Sequence, residues 1–90
     1  MPLLTDDDVG RRLASLRGWA LRGREISKTY ALADFAQAMA FANRVAALAE
    51  KANHHPDILV QYSKVTLTLS SHDAGGLTER DFNLAGQIDG

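Results

Sequence analysis

The chain contains no cysteine, which excludes disulfides, thiol nucleophiles, iron–sulfur clusters and cysteine-ligated zinc, and fits a reducing compartment. It also lacks a surplus of either charge. Ten Lys and Arg stand against eleven Asp and Glu, for a net charge of -1 and a pI near 6.2. With no basic run, it has none of the clustered cations of a phosphate-backbone binder, and direct binding to nucleic acid is not expected. No stretch approaches the roughly 18 consecutive apolar residues of a membrane span, and the opening MPLLTDDDVG is acidic where a secretory leader is basic. These absences point to a cytoplasmic protein with no membrane partner. What remains is ordinary globular composition, 46% apolar and 23% charged over 90 residues. That is chain enough for a single domain over 1–90 with a thin two-layer core, for which self-association is a natural supplement.

Thr5 followed by Asp6, Asp7 and Asp8 predicts a helix start, with a hydroxyl cap and an acidic first turn against the positive dipole end. Val9, Leu13 and Leu16 then repeat at helical spacing as far as Gly18. From Trp19 to Leu32 a hairpin reads better than a helix: Gly23 breaks the run, and Ile26, Tyr30 and Leu32 share one parity. Asp34 opens the longest element, which meets no Gly or Pro before Pro56 and should end near Asn53 or His54, because proline disfavours helical geometry at His55. Phe35, Ala38, Met39, Ala42, Val45, Ala46 and Ala49 form its apolar stripe, widened by Phe41 and Leu48. The stripe is broader than one sheet contact needs, which favours packing on another subunit.

A second hairpin is predicted from Asp57–Ser63 and Lys64–Ser71, with Ile58, Val60 and Tyr62 on one parity and Val65, Leu67 and Leu69 on another; Tyr62 is read as core. After a loop through Gly75 and Gly76, Thr78 and Asp81 have capping-box spacing, Leu77 and Phe82 have staple spacing, and Phe82, Ala85 and Ile88 give the last helix its inner face. The order is therefore αββαββα, an α+β fold with a four-stranded antiparallel sheet and its three helices on the apolar face.

All three histidines fall in two short segments, Glu50-Lys51-Ala52-Asn53-His54-His55-Pro56-Asp57 and the loop at His72. Glu50 and His54 stand four apart and share a helix face if the last turn continues through His54, where a carboxylate and the negative helix end would both favour imidazolium. His72 lies at a strand end and could fold back to the same place, giving one site three proton-moving imidazoles. Taken singly, a loop histidine is most often solvated, and Glu50 could be half of a surface ion pair. Arg80 sits in a first helical turn, against the dipole, so it needs another reason such as a carboxylate or a polar ligand. Adjacent His54 and His55 rarely bind one metal together and no HExxH spacing is present, so metal is not expected; Ser70 and Ser71 lack a nucleophile elbow.

Glu50-x3-His54-His55-Pro56-Asp57, then Tyr62, then Ser71-His72-Asp73-x-Gly75-Gly76-Leu77-Thr78-x2-Asp81-x2-Leu84-Ala85 strongly resembles the pterin-4a-carbinolamine dehydratase family, also called 4a-hydroxytetrahydrobiopterin dehydratase. The resemblance extends through Gly18-Trp19, Asp34-Phe35 and Ala46 to Glu50, nearly the whole chain. It implies the same α+β fold, no metal or organic cofactor, and dehydration of 4a-hydroxytetrahydropterin to quinonoid dihydropterin in tetrahydropterin recycling beside an aromatic amino acid hydroxylase. It further implies His54, His55 and His72 as catalytic residues, Glu50, Arg80 and Asp81 as substrate-binding residues, and assembly as a homodimer or homotetramer. Some relatives serve instead as a transcriptional dimerisation cofactor or in Rubisco assembly, so a non-catalytic binding protein that keeps the site is the alternative.

Overall fold

The computed structural model describes residues 2–90 and carries the predicted element order. Helix α1 spans Asp6–Ala14, strands β1 and β2 Ala20–Arg22 and Glu25–Ala31, helix α2 Phe35–Ala52, strands β3 and β4 Asp57–Gln61 and Lys64–Leu69, and helix α3 Glu79–Asp89. Each helix starts where a short polar side chain can take an orphan backbone N–H. Thr5 accepts from Asp8, Asp34 from Gln37, and Thr78 and Asp81 form a reciprocal capping box. Helix α2 stops because Asn53 turns left-handed (φ 50°) and gives its N–H back to the Ala49 and Glu50 carbonyls. His54 N–H then bonds to the same Ala49 carbonyl at 3.0 Å.

The strands lie in the order β1-β2-β4-β3, every neighbour antiparallel. Register divides the sheet into two faces. Ile26 opposes Leu69 and Tyr30 opposes Val65 on one face, while Ser27 opposes Thr68 and Thr29 opposes Thr66 on the other. The Thr29 and Thr66 hydroxyls are 2.9 Å apart, a cross-strand pair of the kind that stabilises a polar sheet face. On the apolar face Ile26, Val65, Leu67 and Leu69 are fully buried and pack with Val45 and Ala49 of α2 and with Phe82, Leu84 and Ile88 of α3. Burying each of the large side chains contributes about 1.5–3 kcal/mol.

Two expectations change here. The second hairpin turns earlier than predicted, with Gln61 paired to Lys64, so Tyr62 lies in the turn at φ 53° and is 73% exposed rather than core. A residue in a two-residue turn has left the pleat, and its parity with Ile58 and Val60 no longer tells where it points. The α2 stripe also splits: Ala38, Ala42, Val45 and Ala49 face inward, whereas Phe35 and Met39 remain exposed. The extra width found in the sequence is therefore an outer apolar strip. None of the described helices is long and apolar enough to cross a membrane.

The end of α3 is clasped to the sheet by one carboxylate. Asp89 accepts from Trp19 Nε1 at 2.8 Å, from Lys28 Nζ at 3.2 Å and from the Tyr30 hydroxyl. Burial pushes its carboxyl up, but the hydrogen bonds from Tyr30, Trp19 and Lys28 outweigh burial and hold it below the usual range. Burial, reinforced by Asp89, pushes the Tyr30 hydroxyl well up. A charged hydrogen bond contributes about 1.5–3 kcal/mol, and partial exposure with solvent screening lowers that, so Asp89→Asn should cost about 1–2 kcal/mol at neutral pH. Because the folded carboxyl titrates below the unfolded value of about 3.9, the stabilisation is complete above that value and is lost as pH falls through the lower folded one. Urea titrations of both proteins should therefore converge in strong acid; an undiminished gap there would mean that the charge is not what Asp89 contributes.

Candidate functional site

Three segments meet behind His54. Left-handed Asn53 swings the chain off the α2 axis, and His54, only 7% exposed, turns inward so that Nε2 lies 2.5 Å from Oδ1 of Asp81. Asp81 stands in the first turn of α3, where the helix dipole favours a carboxylate, and is wholly buried. Its Oδ2 accepts from the Thr78 N–H and the Ser71 hydroxyl, both at 2.9 Å. The Ser71 and Thr78 hydroxyls are 2.7 Å apart, and both residues are buried. A buried polar cluster of this kind is tolerated because its groups satisfy one another.

Glu50 does not reach His54. It pairs with His55, whose ring faces outward, and both side chains are largely exposed. The expected face-sharing of Glu50 and His54 presupposed helix through residue 54; the left-handed turn at Asn53 ends that geometry and sends the two histidines in different directions. His72 opens a tight loop that Ser71 closes on itself, with Ser71 N–H to the Gly76 carbonyl at 2.9 Å and Gly76 N–H to the Ser71 carbonyl at 3.2 Å. Gly75 takes φ 82° in that loop, a conformation that glycine adopts without a Cβ penalty. The His72 ring is exposed, and among the described residues no hydrogen bond joins it to His54 or His55. Its connection to His54 runs through its chain neighbour Ser71.

Arg80 has the carboxylate that its position demanded: Nη2 lies 2.7 and 3.0 Å from the two oxygens of Asp73. The Arg80 hydrogen bond holds the Asp73 carboxyl below its ordinary range. Arg80 Nε is buried and has no hydrogen-bond partner among the described residues. Asp81, expected in the pocket wall, lies wholly buried behind His54, where its carboxylate meets the His54 ring, the Ser71 hydroxyl and the Thr78 N–H. Size alone does not mark the site. A cleft of about 760 Å³ at the far end of α3 is lined by Arg17, Lys28, Tyr30, Phe41, Arg44 and Asp89 but includes no histidine, and its carboxylate is already engaged in the clasp. Two of the three imidazoles, those of His54 and His55, have carboxylate partners.

Sequence reading missed Ser71 and Thr78 as members of this cluster. The capping-box spacing of Thr78 and Asp81 was visible and did place one Asp81 oxygen. Nothing local indicated that the other oxygen would meet a histidine 27 residues away.

A family model described as "Pterin 4 alpha carbinolamine dehydratase" matches residues 2–90. A relative from Roseiflexus castenholzii, provisionally named pterin-4-alpha-carbinolamine dehydratase, is 56% identical over 87 residues, covering 97% of this chain and 94% of its own. One from Chloroflexus aurantiacus with the same provisional name is 51% identical over 89 residues, covering 99% and 96%. Among solved structures, a transcriptional coactivator/pterin dehydratase from Brucella melitensis aligns with a TM-score of 0.91 at 34% identity, over 97% of this chain and 95% of that one. A pterin dehydratase-like protein identified as a RuBisCO assembly factor in the alpha-carboxysome aligns at 0.68 and 29% identity, over 81% and 87%.

Proposed function

This chain belongs to the pterin-4-alpha-carbinolamine dehydratase family, and from that membership we propose that it dehydrates 4a-hydroxytetrahydropterin to quinonoid dihydropterin in tetrahydropterin recycling. The C4a–O bond breaks, the hydroxyl leaves as water with a proton from a general acid, and the N5 proton passes to a general base as its electron pair forms the C4a–N5 double bond. Groups that titrate near neutral pH suit both transfers. In this reading His54 and His72 are the acid and base, His55 and Glu50 hold the pterin ring, Arg80 completes the pocket wall, and Asp81 acts through His54. The observation that carries it is the buried pairing of His54 with Asp81 at 2.5 Å, which spends a wholly buried carboxylate on one imidazole.

The protein works as a single cytoplasmic domain without metal or organic cofactor, supplied by an aromatic amino acid hydroxylase. It assembles as a homodimer or homotetramer through the β3 edge and the outer strip of α2, where Phe35, Met39 and Leu59 are exposed. Light scattering on the eluting chromatographic peak tests the assembly; a strict monomer overturns it.

Stopped-flow measurement of 4a-hydroxytetrahydropterin breakdown tests the reaction. The wild type should accelerate it and the His54→Ala, His72→Ala double variant should lose roughly 10²-fold or more of that acceleration. No acceleration by folded wild type would overturn the assignment. It would also bring forward the reading suggested by the coactivator and RuBisCO-assembly neighbours, a non-catalytic binding protein that docks through the outer strip of α2.

A further inference from the structure

We propose that Ser71 is a positioning residue which, through Asp81, decides which ring nitrogen of His54 is free to take a proton. The inference deepens the acid–base reading and rests on it for its catalytic consequence, not for its structural one.

The direction of every hydrogen bond in the cluster follows from its two ends. A backbone N–H can only donate, and Arg80 N–H lies 3.3 Å from the Thr78 hydroxyl oxygen. A carboxylate can only accept, and the Ser71 hydroxyl lies 2.9 Å from Asp81 Oδ2. The Thr78 hydroxyl therefore donates to Ser71 across 2.7 Å, and the Ser71 hydroxyl donates to Asp81. With Thr78 N–H also on Oδ2, that oxygen is pinned from two sides, and the carboxylate plane is set so that Oδ1 faces His54. Asp81 accepts there as well, so the hydrogen of neutral His54 sits on Nε2. Nδ1 carries the free lone pair. In the dehydration, Nδ1 takes up and returns the proton while Nε2–H stays on Asp81, and no proton reaches the carboxylate.

Ser71 is the member of this chain without a substitute. It is 1% exposed, so water cannot replace its hydroxyl. Without it Oδ2 keeps one donor instead of two, the Thr78 hydroxyl loses its acceptor, and the carboxylate can rotate away from Nε2. The backbone N–H and carbonyl of Ser71 also close the loop that bears His72.

The test is nitrogen-15 NMR of the histidine rings in the full chain above neutral pH, alongside turnover. Wild-type His54 should show a protonated-type shift at Nε2 and a lone-pair-type shift at Nδ1. Ser71→Ala should move both toward the averaged values of mixed tautomers and lower kcat about 10-fold with KM little changed; Ser71→Thr, which keeps the hydroxyl, should restore both. Should Ser71→Ala fail to fold, Ser71→Cys keeps the volume with a weaker donor and should fall between. An Nδ1–H tautomer in the wild type overturns the proposal, and so does a Ser71→Ala rate loss with an unaltered His54 ring. If folded wild type proves inactive while the His54 tautomer still follows Ser71, the dehydratase reading fails and the positioning role stands.

Discussion

Asp81→Ala should lose about 3 kcal/mol of stability or more, because it strands three buried donors at a cost of about 1–3 kcal/mol each. Three donors converge on this carboxylate: His54 Nε2, the Ser71 hydroxyl and the Thr78 N–H. All three lie in buried residues, so none regains a partner from solvent when the carboxylate goes. The capping box of α3 is lost with it. Domains are stable by about 5–15 kcal/mol, and a chain of this size sits low in that range, so a large share of the variant should be unfolded at 37 °C. Urea unfolding measures the loss, and a midpoint near that of the wild type would show that the cluster contributes little. Asp81→Asn separates stability from chemistry. Its shape is preserved, but one oxygen becomes an NH2 group that cannot face the two donors on Ser71 and Thr78. The amide nitrogen must then face His54, whose Nε2 can only accept, and the ring hydrogen moves to Nδ1. Dehydration should fall roughly 10²-fold or more while the protein stays folded. Wild-type turnover in Asp81→Asn would remove Asp81 from the mechanism.

What was legible in the sequence was whatever depends on near neighbours. Thr5, Asp34 and Thr78 cap the helices they were expected to cap, because a cap is a contract over three residues. Val65, Leu67 and Leu69 are buried as their alternation required, since β4 lies between two other strands with helices over one face. Tyr62 failed because one turn residue breaks the alternation, and where the turn falls depends on how Gln61 pairs with Lys64. Ile58 shares the inner parity yet stays 37% exposed because β3 is an edge strand, a matter of strand order that periodicity does not encode. The site divides along the same line. Histidine clustering and the family resemblance pointed to His54, His55, His72 and Arg80 from short motifs. The partner exchange, with Glu50 on His55 and Asp81 on His54, turns on the backbone of Asn53 and on contacts between distant segments.

Leu67→Ala and Leu59→Ala make the same chemical change on opposite faces of the sheet and should differ widely. Leu67 is fully buried in the middle of β4, between β2 and β3, and truncating it leaves a cavity that the surrounding core cannot fill. The expected cost is about 2–5 kcal/mol, and at about 4–8 °C of melting temperature for each kcal/mol in a domain of this length it should be plain in a thermal scan. Leu59 is 53% exposed, opposite Thr66 on the polar face, and its truncation should stay within about 0.5 kcal/mol in dilute protein. Protein concentration extends the test to assembly. If a second copy covers the outer face of β3, Leu59→Ala should become more destabilising as concentration rises, because binding of the folded form adds to stability by mass action. A Leu59→Ala cost that stays near zero at every concentration places the interface elsewhere. A Leu67→Ala cost below about 1 kcal/mol would mean that the core relaxes to close the cavity, contrary to the packing of β4 beneath α2 and α3.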